Sequence, residues 1–336
     1  MKSVQITGLR LAGLAALLLV VTGLPAKADT LTLAGGREGG LWSRIGLGLA
    51  QAVKAGAPDI TLAYVASQDG VTNAKLLSRG GLDLALIQSA ELTAARRGIP
   101  PFSETLEGLT AVAGLGAAAP VHVLARADLL DVPAGDPPAS FGEAVEGRDL
   151  VFGLMPENGV SAAIGHALLA QAGIVIPARN PERVVLYGGL RQQLRRLGSG
   201  EIDVLIAPIL PGHRAVREAY EATPLALLAL ASDSVTALKE RFGLAAGGIP
   251  AGAYAEAAPA VPTAASELVL AARAGSAEAS IEAVTRSLYE NLGRLRAVHP
   301  LLSGLTRQRM AAVAAAPLHS GAEAYLEASG LLPAPE

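Results

Sequence analysis

LTLAGGREGGLWSRIGLGLAQA, at residues 31–52, and VFGLMPENGVSAAIGHALLAQA, at residues 151–172, are two stretches with the same plan. Each starts with an apolar run typical of a strand, continues through a glycine-containing loop and ends in the apolar spacing of a helix. When their shared Ala-Gln-Ala is superposed, Gly39 corresponds to Gly159, 120 residues further on. The chain is therefore predicted to contain one supersecondary unit twice.

The same offset continues beyond these two stretches. SRGGLDLALIQ corresponds to GSGEIDVLIAP, which matches Gly80 with Gly200 and Asp83 with Asp203. Another apolar run lies between the matched parts of each unit, ITLAYVA in the first and RVVLYGG in the second. Strands that alternate with helices form parallel sheets with right-handed crossovers. The repeat predicts an α/β protein with two lobes, each a mainly parallel sheet flanked by helices.

The two glycine-containing loops, residues 35–40 and 156–161, are predicted to face each other across a cleft. In open α/β sheets, ligands bind beyond the carboxyl ends of the strands, which is where both loops lie. Each loop also begins a helix, so it offers unpaired N–H groups and the positive end of a helix dipole. Such a cleft suits a carboxylate or another anion.

Two further apolar runs, PVHVLARAD at residues 120–128 and ELVLAARAG at residues 267–275, resemble each other. Either they pair with one another at a hinge between the lobes, or each is an ordinary buried strand, and the sequence favours neither. After Ala277 the apolar residues return to helical spacing, which predicts a helix that packs on a lobe. These residues are Ile281, Val284, Leu288, Leu292 and Leu295.

The N-terminal residues 1–28 have the layout of a secretory signal peptide. Lys2 and Arg10 precede an apolar run, and Ala26-Lys27-Ala28 supplies the small residues of a cleavage site. The run from residue 11 to residue 24 is shorter than the roughly 20 residues of a membrane span. We therefore expect export to the periplasm and a mature chain that starts at Asp29.

The composition excludes several classes of protein. The chain has no cysteine, so no disulfide and no lipid-bearing cysteine is expected, and a core must come from its 51% of hydrophobic residues. Its net charge of −3 becomes about −6 once the three cations of the signal peptide are removed. An acidic chain without basic clusters is not expected to bind nucleic acid.

One motif suggests an enzyme. Ser161 lies in Gly-Val-Ser-Ala-Ala, which approximates the nucleophile elbow of a serine hydrolase, and the order Ser, Asp, His is available further along the chain. The candidate acids and bases are Asp203 or Asp233 with His299 or His319. The second glycine of the elbow is absent, however, and the first repeat has Leu41 where the second has Ser161. A catalytic role is the less favoured interpretation.

No metal or cofactor is expected. The five histidines never pair with one another at ligand spacing, and thiolate ligands are absent. His122 lies in an apolar run and is interpreted as a satisfied core residue. GGREGG lacks the spacing of a dinucleotide-binding loop and is interpreted as a turn that faces an anion.

PLHSGAEAYLEAS, at residues 317–329, combines a histidine, a serine and a glutamate within five positions. Ser320 followed by Glu323 is a capping box, in which each side chain binds a backbone N–H at a helix start. This interpretation is favoured over a catalytic one.

Over essentially the whole mature chain the sequence resembles the TAXI receptors, solute-binding proteins of the tripartite ATP-independent periplasmic (TRAP) transporters. The resemblance rests on segments that occur in a fixed order: GGLWSRIG, NAKLLSRGGLDLALIQS, PVHVLARAD, IPAGAY, VPTAASELVLAARA, ENLGRLRAVHP and PLHSGAEAY. It implies a two-lobed periplasmic binding protein, type II-like and joined by hinge strands, that is not an enzyme. Such a protein closes on a small solute, often a dicarboxylate or acidic amino acid, and delivers it to a membrane transporter.

The resemblance also implies which residues bind the solute. They are Gly39, Gly40, Trp42, Ser67, Val71, Asn73, Gln88 and Ser89 in the first lobe and Asn158, Gly159 and Val160 in the second, to which Ser161 is added as a possible hydroxyl donor. Ser43, Gly70, Ala90 and Val160 depart from residues common in the family. Fewer hydroxyl and carboxyl groups line the predicted cleft, so the identity of the solute stays open.

The predicted division of the mature chain is residues 29–121 with 233–336 for lobe 1 and residues 122–232 for lobe 2. The favoured function is a receptor that delivers a carboxylate-bearing solute to TRAP membrane subunits. The alternatives are an exported serine hydrolase that uses Ser161 and a solute-binding subunit that serves a sensor.

Overall fold

The computed structural model describes residues 29–130, 139–254 and 259–332, so the predicted signal peptide lies outside the described residues. The strands are β1 Asp29–Ala34, β2 Ile60–Val65, β3 Leu84–Gln88, β4 Leu109–Gly114, β5 Ala119–Arg126, β6 Phe152–Leu154, β7 Val185–Tyr187, β8 Val204–Pro208, β9 Leu225–Leu227, β10 Ala245–Ile249, β11 Val261–Ser266 and β12 Leu268–Arg273. The helices are α1 Leu41–Gly56, α2 Gly70–Ser78, α3 Ser89–Arg97, α4 Ala127–Leu130, α5 Phe141–Val145, α6 Val160–Gln171, α7 Leu190–Ser199, α8 Arg214–Ala222, α9 Ser232–Phe242, α10 Glu278–Glu290, α11 Leu292–Val298, α12 Arg307–Ala311 and α13 Ser320–Ala328, with short 3-10 helices at Pro181–Arg183 and Pro300–Leu302. None of the helices in this described part combines the length and the apolar character needed to cross a membrane.

Sheet 1 has the strand order β2-β1-β3-β12-β4. β1 is parallel to β2 and β3, as the alternation of strands and helices predicts, while β12 enters between β3 and β4 and runs antiparallel to both. The residues of β4 are buried throughout, and only Gln88 of β3 is partly exposed. Strands covered on both faces read as continuous apolar runs, which explains why LALI and LTAVAG lack a polar alternation.

Sheet 2 has the order β10-β11-β5-β8-β6-β7, with β9 paired to the edge of β5. β6 is parallel to β7 and β8, and the remaining pairs are antiparallel. The division of the chain into lobes stays a prediction. Its second boundary, between residues 232 and 233, does not follow the pairing of the strands. The sequence-based division assigns β10 and β11 to lobe 1, whereas both strands pair within sheet 2 because β11 lies against β5.

The internal repeat is present, with one change of register. α1 begins at Leu41 and α6 at Val160, an offset one residue smaller than the 120 residues inferred from the sequence. The loop before α1 is one residue longer than the loop before α6. Gly39 accommodates the extra residue by adopting the left-handed conformation, with φ of +72°. Later parts keep the predicted offset, since β3 begins at Leu84 and β8 at Val204. The superposition of Gly39 on Gly159 is therefore wrong by one residue.

The chain crosses between the sheets at two neighbouring places, which form the hinge. One crossover joins β4 to β5 through residues 115–118, and the other is Glu267, between β11 and β12. They are tied together, because the N–H of Leu115 donates to the carbonyl of Leu268 at 2.7 Å and Ser266 lies opposite Ala119. The two resembling runs are thus buried strands of different sheets, and the hypothesis that β5 and β12 pair with each other is wrong.

The predicted helix after Ala277 is α10, whose buried face includes Ile281, Val284 and Leu288. α13 packs across it, but its cap differs from the predicted capping box. Helix α13 begins at Ser320, and the cap is His319, whose Nδ1 accepts from the Gly321 N–H at 3.1 Å. The backbone of His319 is fixed because its own N–H donates to Ala111 in β4, which sets the helix start one residue earlier than predicted.

Candidate functional site

A cavity of about 260 Å³ lies between the two lobes at the carboxyl ends of the parallel strands. Lobe 1 and the hinge contribute Trp42, Gln88, Ala90, Glu91, Ala119 and Ser266, and lobe 2 contributes Val160, Ser161, Ile164, Leu190, Pro208, Ile209, Leu210 and His213. The predicted cleft between the ends of the two repeated units is therefore present. Its size matches a small molecule.

Six helices begin where the parallel strands end, and three of them carry a side-chain cap. Asp69 caps α2 by accepting from the Thr72 N–H, and His213 caps α8 by accepting from the Ala215 N–H. Gln88 and Glu91 form a capping box at α3. These helix starts are satisfied within the protein.

The other three helix starts have glycine as the N-cap and no side-chain cap. They are α1 with Gly40, α6 with Gly159 and α7 with Gly189. The first-turn residues Trp42, Val160, Ser161 and Leu190 of these helices line the cavity. First-turn N–H groups have no partner inside a helix, so they are available to donate to an anion. The positive ends of three helices thus lie at one cavity.

The structure brings four of the twelve predicted solute-binding residues to the cavity wall, namely Trp42, Gln88, Val160 and Ser161. Gly39, Gly40 and Gly159 lie next to it at the helix starts, and Asn158 is exposed in the loop before α6. Gly39 and Gly159 differ in conformation, since Gly159 has φ of −123° and only Gly39 is left-handed. Contact of Gly39, Gly40, Asn158 and Gly159 with a solute stays a prediction.

The remaining predicted residues do not line the cavity but contact the loop, core and hinge residues next to it. Ser67 donates its hydroxyl to the carbonyl of Gly35 at 2.9 Å, and buried Asn73 donates its amide to the same carbonyl at 2.9 Å. Val71 packs against the apolar core. The Ser89 hydroxyl lies 3.2 Å from the hydroxyl of Ser266 in the hinge. Ser67 and Asn73 therefore hold the loop that leads to Gly40.

Sequence reasoning missed the other ten residues of the cavity wall, which are Ala90, Glu91, Ala119, Ile164, Leu190, Pro208, Ile209, Leu210, His213 and Ser266. A signal for part of this set was available in the repeat. The offset of 120 residues that matches β3 with β8 places Gln88 on Pro208 and Ser89 on Ile209, and Pro208 and Ile209 both line the cavity. Applying the offset of 120 residues to the predicted site residues Gln88 and Ser89 would have identified part of the cavity wall in lobe 2.

Glu91 is the acidic group of the cavity. Its Oε2 accepts the Gln88 N–H at 3.2 Å, and its carboxylate lies against the Cα of Gly70, where an added methyl group would come within 2.6 Å of the carboxyl carbon. Burial raises the pKa of Glu91 to about 7; the Gln88 N–H opposes this shift and the charge of Asp69 adds to it. Glu91 therefore exchanges its proton near neutral pH.

This pKa makes the stability of the protein depend on pH. Between pH 4.5, the ordinary value, and about pH 7, the folded chain keeps a proton that the unfolded chain has lost, so the free energy of unfolding falls as pH rises. The loss should be about 1–3 kcal/mol, and Glu91→Gln, which preserves the capping box, should remove it. Urea unfolding of both proteins at about pH 5 and about pH 8 measures the difference. Equal losses in both proteins would mean that Glu91 ionises normally.

The structure does not assemble the serine hydrolase. No hydrogen bond joins Ser161 to a histidine within the described ranges, and Nδ1 of His299 and of His319 each accepts from a backbone N–H at a helix start. Asp203 accepts from the Val151 N–H at 2.8 Å, at the opposite end of the strands from the cavity. The interpretation that joins Ser161, Asp203 and a histidine is therefore not supported by the geometry.

His122 is buried, and both of its ring nitrogens have hydrogen-bond partners. Nδ1 of His122 lies 2.9 Å from the Pro120 carbonyl and Nε2 lies 2.7 Å from the Tyr254 hydroxyl, so His122 is the satisfied core residue that the sequence predicts. Since a carbonyl only accepts, Nδ1 carries the proton and Nε2 accepts from the Tyr254 hydroxyl.

Across the part of the chain described, no group of three or more His, Cys, Asp or Glu residues is arranged to hold a metal ion.

Several solved structures are similar in fold to this chain. MatC from Rhodopseudomonas palustris with bound malate is 18% identical, with a TM-score of 0.51 over 89% of this chain and 96% of that one. A TctC solute binding protein from Polaromonas is 16% identical, with a TM-score of 0.54 over 91% and 99%. PhnD1 from Prochlorococcus marinus in complex with methylphosphonate is 12% identical, with a TM-score of 0.52 over 91% and 100%. These similarities concern the fold, and they confirm the predicted two-lobed fold of periplasmic binding proteins.

No curated protein matches the sequence. A family does match it, over residues 33–330, which include nearly all of both sheets, the hinge and the helices that surround the cavity. On that match the chain belongs to the NMT1-like family.

Proposed function

We propose that the protein is a receptor that captures a small, carboxylate-bearing solute between its two lobes outside the cytoplasm. The observation that carries the proposal is the meeting of three glycine-capped helix starts, those of α1, α6 and α7, at one cavity. A carboxylate accepts from unpaired N–H groups and is stabilised by the positive helix ends. Both lobes contribute donors, so the solute favours the closed arrangement of the lobes.

The ligands of proteins with the same fold support an anionic solute. MatC holds malate and PhnD1 holds methylphosphonate, both small anions. The cavity here has no Lys or Arg among the described residues of its wall, so recognition of the anion relies on backbone N–H groups and the Ser161 hydroxyl. Such a wall favours one carboxylate over several charged groups, because each unpaired buried charge is costly.

The delivery step and its partner belong to the same proposal. The resemblance to the TAXI receptors supports transfer of the solute to TRAP membrane subunits, and the signal-peptide layout of residues 1–28 supports a periplasmic location. The protein then acts by binding and release and transforms no substrate.

A screen with closely matched compounds tests the proposal. Small mono- and dicarboxylates, methylphosphonate and methanesulfonate are added to the purified mature protein, and the melting temperature and the radius of gyration in solution are measured. A bound carboxylate should raise the melting temperature and lower the radius of gyration, because it stabilises the closed lobes. The control compounds are the methyl esters of the same acids. The proposal is rejected if no acid acts, or if the esters act as strongly as the acids.

A further inference from the structure

The charge pattern of the cavity is asymmetric. Glu91 is the one acidic residue among the described residues that line it, and none of them is Lys or Arg. The other titratable group in the wall is His213, whose pKa is lowered by burial and, to a lesser degree, by Arg191, so this ring is neutral at neutral pH. A solute therefore meets helix N–H groups and one carboxyl group.

The Glu91 carboxyl group is incompletely partnered. Its Oε2 accepts from Gln88, and in the described structure no ion pair includes Glu91. On the side of α2 it faces Gly70 and the like charge of Asp69. A half-buried carboxylate without a counter-ion gains from a cation that a ligand brings.

Most of the remaining wall is apolar. Val160, Ile164, Leu190, Ile209 and Leu210 present aliphatic side chains from lobe 2, and half-buried Trp42 contributes its ring from lobe 1. A volume of about 260 Å³ holds a molecule the size of leucine or phenylalanine. An aliphatic or aromatic group has a place here, whereas a second carboxylate would share a small cavity with Glu91 and be repelled by it when Glu91 is ionised.

Three kinds of surface thus surround one small cavity: helix N–H groups for a carboxylate, the Glu91 carboxylate for a cation, and an apolar wall. We propose that the solute is an α-amino acid with an apolar side chain, and that Glu91 binds its ammonium group. The inference rests on the proposed function, because it takes the carboxylate of the amino acid to be the group at the helix starts. It narrows the class of solute away from dicarboxylates.

Matched pairs of probes test the role of the ammonium group. L-Leucine is compared with 4-methylpentanoate, and L-phenylalanine with 3-phenylpropanoate, by calorimetry on the wild type and on Glu91→Gln. One amino acid should bind the wild type at least about tenfold more tightly than its deaminated partner, the factor expected of one charge-assisted hydrogen bond. In Glu91→Gln this preference should disappear, with affinity for the deaminated partner unchanged or increased. Glu146→Gln, an equal change of charge at the exposed end of α5, should keep the preference.

The outcomes separate this inference from the proposed function. If the deaminated acids bind the wild type as tightly as the amino acids, or if Glu91→Gln keeps the preference, Glu91 does not bind an ammonium group and the inference is overturned, while a carboxylate receptor stands. The same conclusion holds if dicarboxylates of the wider screen bind and none of the four probes does. If no acid in either set binds, the proposed function itself is overturned.

Discussion

Gly321→Ala is expected to lower the free energy of unfolding by about 2–3 kcal/mol or more, although alanine is the better helix former. Gly321 is the second residue of α13 and lies directly on the start of α10. A methyl group there would overlap the Glu278 carbonyl oxygen and come within 2.7 Å of the Glu282 nitrogen, and both are backbone atoms of a helix. Because a backbone cannot rotate away as a side chain can, α13 must move off α10. Urea unfolding measures the loss.

Gly293→Ala is the matched control. Gly293 is also the second residue of a helix, α11, and an added methyl group there meets no atom within 4 Å. The substitution should leave stability unchanged or raise it by up to about 1 kcal/mol through helix propensity alone. If the two variants unfold alike, the close contact between α13 and α10 is not tight in solution.

Ser161→Asp is expected to weaken binding of the best carboxylate of the screen by about 100-fold or more. The new carboxylate would occupy the first turn of α6, which has no acidic residue, and would take the N–H groups that the solute needs. Two carboxylates about 4 Å apart repel each other by about 4 kcal/mol at an effective dielectric constant of about 20. The same charge at a helix start stabilises the helix by about 0.3–1 kcal/mol, so the melting temperature should not fall. Calorimetry and thermal unfolding together separate lost binding from lost folding.

Ser161→Asn controls for shape, because asparagine has the size of aspartate without its charge. It should change affinity far less than Ser161→Asp and leave the melting temperature near that of the wild type. If Ser161→Asp binds the carboxylate like the wild type, the start of α6 does not hold the solute, and the cavity binds its ligand elsewhere.

Much of the fold was predictable because the repeat supplies the order of strands and helices together with the local signals that begin and end them. The errors fall where the signal is not local. The one-residue slip at Gly39 occurs because a left-handed glycine lengthens a loop without disturbing the helix after it. β5 and β12 look alike because both are buried up to their last residue, and burial alone does not say which neighbour a strand takes. His319 replaces Ser320 as the cap because a tertiary hydrogen bond to Ala111 fixes its backbone.

The candidate site was predictable to the extent that it sits on helix starts. Trp42, Val160 and Ser161 lie on the cavity wall because the first turn of a helix after a parallel strand points into the cleft. Glu91 was missed because the same carboxylate completes the capping box of α3, and only the packing of Gly70 against it shows that it lies between two helices. Its environment depends on the packing of α3 against the preceding helix α2, which the local pattern of the sequence does not give.

The place of β12 in sheet 1 predicts an order in which the two sheets complete their strand pairing. β3 and β4 are separated by β12, which follows them in the chain by more than 150 residues and carries the Arg273 that pairs with Asp83 at 3.4 Å. Sheet 2 lies wholly in the interval before β12, so its strands are all synthesised while sheet 1 still has a gap between β3 and β4. Contacts of such long sequence separation form slowly because a long loop must first close. We therefore expect sheet 1 to complete its strand pairing after sheet 2, with its half of the cavity complete only when β12 is in place.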